Sequence, residues 1–181
     1  MRRKPGTLAA LAFFTLAFVP FLSGAAWGGA AETPRAAQVL AKPPVFRDFP
    51  VAPDGGPQKY ATKTVISSRE AEEFRTVISR EGRKKPNFAG HYRVAIWGCG
   101  TDCRSFAIID RLTGEVYMLP SAGYIVGVME SEEPRIDFRA DSRLFVISGT
   151  LDEKLEGKFF YEWTGKELRL LLKAPVVKKA G

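Results

Sequence analysis

Two cysteines and a histidine lie close together in the middle of the chain. Cys99 and Cys103 are its two cysteines, and His91 is its one histidine. A free cysteine thiolate beside a histidine can act as a nucleophile with its base, and the three side chains together can bind a metal ion. Two cysteines can instead form a disulfide, which persists in oxidising compartments. The residues around the pair favour the disulfide.

Those residues predict a β-hairpin. If Thr101 is the centre of the turn, opposed residues have numbers that sum to 202, and Cys99 faces Cys103. Opposed Cα atoms in antiparallel strands lie about 4.5–5.5 Å apart, which suits a disulfide. We therefore predict a disulfide between these cysteines, with the three-residue loop Gly100-Thr101-Asp102 at the tip of the hairpin.

A disulfide argues against the other chemistries. It removes Cys99 as a nucleophile, and the spacing of the cysteines lacks the second cluster of a zinc site and is not the C-x-x-C of thioredoxin-like catalysts. We predict no metal and no cofactor. His91 can still serve as a general acid or base, so a hydrolase-type envelope enzyme using His91 is the alternative function. A structural histidine bonded to the backbone or to Asp110 is the third interpretation.

The hairpin register also separates two faces. Tyr92, Val94 and Ile96 share a face that is typical of a core. The other face carries an aromatic anchor and basic groups that can bind anions. We predict a binding surface there and at the tip, and its residues are His91, Arg93, Trp97, Gly100, Thr101, Asp102 and Arg111. The alternative is that the small residues Ala95 and Ala107 mark the place where a helix packs.

One helix precedes the hairpin. Ser67-Ser68-Arg69-Glu70 matches a capping box, and apolar residues then recur at helical spacing. This predicts an amphipathic helix from about Arg69 to Arg80, with an apolar face that a sheet must cover. The apolar residues are Ala71, Phe74, Val77 and Ile78.

After Pro86 the apolar period becomes two and turn residues recur, which predicts an antiparallel meander. Two of the turns, at 110–114 and 163–166, contain a glycine that supplies a positive φ. The fold class is α+β, with one N-terminal helix packed on about 6–8 strands in a curved sheet or small sandwich. The predicted strands are 91–98, 104–110, 115–119, 124–129, 135–139, 143–149, 158–163 and 167–172.

The N-terminus predicts export. Three basic residues at 2–4 precede an apolar stretch from Leu8 to Leu22, and small residues follow it, as in a signal peptide cleaved after Ala26 or Ala30. The stretch is shorter than the roughly 20 residues of a membrane span, although an uncleaved anchor is the alternative. We predict a periplasmic or secreted protein with no membrane anchor after cleavage.

Four regions follow from this organisation. Residues 1–30 are the signal peptide, 31–62 a Pro-rich extended arm or linker, 63–175 a single α+β domain, and 176–181 a basic tail. The arm contains apolar residues that can lay it along the domain as an edge strand. Removal of the signal peptide lowers the formal charge from +7 to +4. The basic runs lack interleaved aromatic residues, so no nucleic-acid partner is predicted.

Two strings resemble the signature of a group of uncharacterised small exported bacterial proteins. They are Pro86-Asn87-Phe88-Ala89-Gly90-His91-Tyr92 and Trp97-Gly98-Cys99-Gly100-Thr101, followed by Cys103. The resemblance runs from about Phe46 to Leu171 and implies export and a shared fold, but no activity. The rigid, exposed turn and the lack of a complete catalytic set instead predict an exported, non-catalytic binding or interaction module that acts through the hairpin tip, with an envelope protein or a small ligand as its partner.

Overall fold

The computed structural model describes residues 42–52, 58–118, 123–127 and 134–176. The predicted signal peptide lies outside these residues, as do the first part of the predicted arm and nearly all of the predicted tail. No helix among the described residues has the length and apolar character needed to cross a membrane.

Within the described residues, eight strands form one open antiparallel sheet, which confirms the predicted β-rich meander. Along the sheet the order is β1-β2-β4-β6-β7-β8, while β3 pairs with β2 and β5 pairs with β6. The central strands are long and the connecting ones short. The strands are β1 (Tyr92–Gly100), β2 (Cys103–Asp110), β3 (Val116–Tyr117), β4 (Ile125–Val126), β5 (Ile136–Phe138), β6 (Leu144–Leu151), β7 (Leu155–Trp163) and β8 (Leu168–Ala174).

The sheet curves until its two halves pack against each other. The ring of Phe106 on β2 lies 5.1 Å from that of Phe145 on β6. Tyr92 on β1 and Tyr117 on β3 each place a ring 5.3 Å from Trp163 on β7. These contacts enclose the main core. The described strands all belong to one sheet, which matches the predicted curved sheet, whereas a sandwich has two. Other members of that core are Phe88, Val94, Ile108, Ile125, Ile147 and Phe159.

Two short helices cover the outer face of β1 and β2. Helix α1 spans Arg69–Glu73 and α2 spans Arg75–Glu81, with Phe74 outside the helical region between them at φ −106° and ψ 16°. The Ser68 hydroxyl caps α1 by accepting the N–H of Ala71 at 3.0 Å. The expectation of a single helix therefore differs from the structure at Phe74. The buried residues of this second core are Ala71, Ile78, Ala95, Ala107 and Ile109.

The described part of the arm packs on the outer face of β6 and β7. A 3₁₀ turn at Phe46–Asp48 places the rings of Phe46 and Phe49 against a third core of Leu144, Val146 and Phe160. The buried Ser142 hydroxyl donates to the carbonyl of Phe46 at 2.8 Å. The described part of the arm forms an isolated bridge, Pro50 with Ser142, in place of the edge strand that its apolar residues could have formed. Prolines limit longer pairing because they lack an N–H.

Candidate binding site at the hairpin tip

The hairpin of β1 and β2 forms in the predicted register. Tyr92 pairs with Asp110, and the pairing continues to Gly98 and Arg104 with numbers that sum to 202. The register then shifts, because Gly100 pairs with Cys103. The loop therefore has two residues, Thr101 and Asp102, and the predicted three-residue loop was wrong. A β-bulge at position 99 absorbs the third residue.

The predicted disulfide is present at this bulge. Cys99 and Cys103 are bonded, with their Cα atoms 5.0 Å apart. Cys99 is the unpaired residue of the bulge, and it faces Cys103 although Gly100 occupies the pairing position. Both cysteines of the chain are used, so Cys99 has no thiolate to offer as a nucleophile.

The tip is also anchored to two segments far away in the sequence. One carboxylate oxygen of Asp102 accepts the backbone N–H of Gly127 at 2.7 Å. The other pairs with the guanidinium of Arg135, whose side chain is 14% exposed. Thr101 and Gly100 remain exposed. The tip is therefore a fixed projection with an accessible end.

A groove lies beside the disulfide. It has a volume of about 450 Å³, which is within the usual range of ligand pockets. The Ser105 hydroxyl, on β2, donates to the carbonyl of Gly123 at 2.6 Å. Asp152, directly after β6, donates its backbone N–H to the carbonyl of Tyr124, and its carboxylate accepts the backbone N–H of Tyr124. These bonds hold one wall of the groove in place. The lining is mainly apolar. It consists of Phe74, Cys99, Cys103, Ser105, Gly123, Tyr124, Val126 and Glu153.

The helices cover the face of the hairpin that carries Arg93, Ala95 and Trp97. The Trp97 ring lies 4.8 Å from that of Phe74. Arg93 donates to Glu81 at 2.7 Å. Arg111 is 4% exposed and donates to the carbonyls of residues 61 and 84 at 2.9 and 3.1 Å. The structure thus matches the alternative in which a helix packs on Ala95 and Ala107. The side chains of Arg93, Trp97 and Arg111 make internal contacts instead of extending the surface at the tip.

Glu81 holds one edge of this covered face. Burial alone would raise the pKa of Glu81, but hydrogen bonds from Lys84 and Arg93, together with their positive charges, leave that pKa below its ordinary value. Lys84 donates at 2.7 Å, as Arg93 does. The carboxylate therefore joins α2 to β1 in its charged form.

His91 lies at the opposite end of β1 from the tip. Its Nε2 is 3.7 Å from a carboxylate oxygen of Asp110, and its ring lies 4.3 Å from that of Tyr92. The same Asp110 oxygen accepts the N–H of Leu112 at 2.7 Å. The Asp110 carboxylate therefore hydrogen-bonds within the turn and not to His91, because 3.7 Å exceeds hydrogen-bond length. Burial, followed by the negative charge of Asp110, raises the pKa of the neighbouring Tyr92 hydroxyl above its ordinary value.

The structure therefore separates the candidate residues into three groups. Gly100, Thr101 and Asp102 lie together at the tip with the disulfide, Arg93, Trp97 and Arg111 lie under the helices and the adjoining loops, and His91 contacts Asp110. No group of three or more potential metal-ligating side chains occurs among the described residues.

Sequence reasoning missed the partners of the tip. Arg135 is 33 residues from Asp102, and Gly127 is 25 residues away. Neither lies in a motif, and only the curvature of the sheet brings them to the hairpin. Tyr124 of the groove was missed for the same reason, while Phe74 was predicted as part of the apolar face of the helix but not as part of a groove. Comparisons with family models, with curated proteins and with solved structures found no match, so no known site can be carried over onto these residues.

Proposed function

We propose that this protein is an exported, non-catalytic binding module that holds a protein partner at the tip of the β1–β2 hairpin. The observation that carries the proposal is the double anchoring of an exposed tip. The disulfide joins the two strands, and Asp102 joins the tip to Gly127 and Arg135, while Thr101 stays exposed. A loop that is already ordered loses little conformational entropy on binding.

The groove indicates the chemistry of the partner. Phe74, Tyr124 and Val126 offer apolar contacts beside the disulfide, and among the described lining residues Glu153 is the charged one. A protein segment with an apolar side chain followed by a basic one fits this pattern. A protein fits better than a small molecule, because the exposed tip residues extend the contact area beyond the groove.

Export is part of the proposal. The disulfide is consistent with an oxidising compartment, and the basic, apolar and small-residue pattern at the N-terminus supports the same location. An envelope protein is therefore the class of partner we expect. The resemblance to small exported bacterial proteins agrees with this location.

Site-specific photo-cross-linking tests the proposal. A photoreactive amino acid at position 101, in the full chain expressed in a bacterial host, should cross-link one envelope protein. The purified partner is then titrated against the wild type, Thr101→Arg and the matched variant Thr113→Arg. Thr113 also lies exposed in a hairpin turn, between β2 and β3. We expect Thr101→Arg to weaken binding about tenfold or more, since a bulky charge blocks the contact.

Thr113→Arg should leave the affinity within about twofold of wild type, as is usual for surface changes outside a contact. Equal effects of the two substitutions, or the absence of a specific cross-link at position 101, would overturn the proposal.

The alternative function, a hydrolase using His91, has one geometric observation in its favour. The half-buried ring lies 3.7 Å from the Asp110 carboxylate, which can orient it as a base. The disulfide removes Cys99 as its nucleophile. A screen of ester, amide and glycoside substrates that compares wild type with His91→Ala tests it. Hydrolysis that disappears in His91→Ala would favour the enzyme over the binding module.

A further inference from the structure

A second cavity lies on the outer face of β5, β6 and β7, and it shares no lining residue with the groove at the tip. Its volume is about 490 Å³, again within the range of ligand pockets. Leu144, Val146 and Phe160 form an apolar floor, and the arm from Pro44 to Arg47 forms the roof.

One polar group of the cavity wall has no partner. Ser148 is 1% exposed, and its hydroxyl makes no hydrogen bond within the described residues. A buried hydroxyl without a partner costs about 1–3 kcal/mol. The next residue on the same side of β6 is Val146, so the hydroxyl lies at the end of an apolar surface. A ligand oxygen placed there would satisfy it.

The charges around the cavity favour an anion. Among the described lining residues, Arg47, Arg139 and Lys158 carry positive charge and Asp137 a negative one. Lys158 already interacts with another group, so Arg47 and Arg139 are the cations that favour an anion. The Arg139 guanidinium lies 4.4 Å from the centre of the Phe46 ring, which attaches it to the roof. Arg47 is 3.8 Å from Asp48, but both side chains are largely exposed, so water weakens that pair.

We propose that this cavity binds a small soluble amphiphile with a carboxylate head and an unbranched apolar tail. The Ser148 hydroxyl donates to a carboxylate oxygen, on the strand position that pairs with Lys158. The tail lies over Val146 and Phe160, beneath Phe46. The positive charge of the rim attracts the head group before it enters. This site is independent of the partner proposed for the hairpin tip.

Titration calorimetry tests the proposal with three probes: laurate, 1-dodecanol and acetate. The protein is purified from a host that expresses the full chain. Laurate should bind with one-to-one stoichiometry, 1-dodecanol about tenfold more weakly because it lacks the charge, and acetate undetectably because it lacks the tail. Val146→Trp should abolish laurate binding by filling the floor.

Ser148→Ala provides the more specific test and is expected to fold. It should weaken laurate binding about tenfold or more, which is the value of one hydrogen bond to a charged group. Without laurate it should unfold at the same or a higher urea concentration than wild type, because the hydroxyl has no protein partner to lose. Ser79→Ala, on α2 and outside both cavities, should leave laurate binding unchanged.

Three results would overturn the proposal. Laurate and 1-dodecanol could bind equally, Ser148→Ala could destabilise the protein without changing laurate binding, or laurate could fail to bind while phosphatidylglycerol vesicles bind. The last result would assign the basic rim to a lipid surface and not to a soluble amphiphile.

Discussion

The carboxylate of Asp102, at the tip of the hairpin, accepts the backbone N–H of Gly127 at 2.7 Å. Gly127 directly follows β4, whose Ile125 pairs both with Arg104 on β2 and with Leu151 on β6. A single side chain thus joins the tip to the strand that connects the two halves of the sheet. The tip is thus attached to the sheet by a contact outside its own strand pairing.

Removing the charge of Asp102 should loosen this anchor. Asp102→Asn keeps an oxygen that can accept from Gly127, but it leaves the largely buried guanidinium of Arg135 without its counter-ion. We expect the free energy of unfolding to fall by about 1–3 kcal/mol, measured by urea denaturation. Thr101→Ala, the exposed neighbour, should change it by less than about 0.5 kcal/mol. Equal effects would show that the ion pair contributes nothing.

Reduction of the disulfide should lower stability only modestly. The bond closes a ring of about five residues, for which loop entropy gives about 2 kcal/mol. The strand pairing from Tyr92 to Gly98 lies outside that ring. We expect Cys99→Ser/Cys103→Ser to fold, to unfold at a lower urea concentration, and to lose affinity for the tip partner. Thiol titration of the unreduced wild type should find no free thiol, and two free thiols would contradict the bond.

The hairpin was predictable because its information is local. Opposed positions around one turn lie within ten residues of Thr101, so the register follows from the turn. The core face was predicted only in part. Tyr92 and Val94 lie in the main core, whereas Ile96, predicted for the same face, is 39% exposed near the tip of the hairpin. The turn glycines Gly114 and Gly165 adopt positive φ, 87° and 100°, as predicted from their place in the turns. Short-range chemistry of this kind needs no knowledge of the rest of the fold.

The site was less predictable because it depends on curvature. The ion pair of Asp102 with Arg135 depends on the curvature of the sheet, and no pattern of residues in the sequence predicts that curvature. The sequence also did not decide whether a helix covers Trp97, since small residues such as Ala95 can mark either a packed helix or a shallow surface. The loop length was not predictable either. Cys99 faces Cys103 both in a hairpin with a three-residue loop and in one with a two-residue loop and a bulge at position 99.

Gly114 should tolerate no side chain. Its φ is +87°, and an added Cβ would lie 2.3 Å from the carbonyl oxygen of Lys63. We expect Gly114→Ala to lower the free energy of unfolding by at least about 2 kcal/mol, through backbone strain and displacement of that neighbouring segment. Gly98→Ala is the matched control, since its Cβ would meet no atom closer than 3.6 Å. An equal loss in both variants would mean that neither the positive φ of Gly114 nor its close approach to Lys63 is the cause.

Glu81 should make part of the stability depend on acid pH. Its pKa in the folded protein lies below the ordinary value of 4.5, because hydrogen bonds and charge from Lys84 and Arg93 outweigh the effect of burial. The folded state therefore holds the ionised form more tightly than the unfolded chain does. The resulting stability is fully present above about pH 4.5 and is lost as the pH falls through the folded pKa.

Glu81→Gln tests this dependence. At pH 7 the variant should be less stable than wild type by about 1–3 kcal/mol, because Arg93 loses a charged partner. The difference in unfolding free energy should shrink as the pH is lowered from 4.5 to 3, measured by urea denaturation at each pH. Glu72→Gln, in an exposed pair with Arg75, should show little difference at any pH. A Glu81→Gln difference that stays constant down to pH 3 would mean that the carboxylate contributes by packing and not by charge.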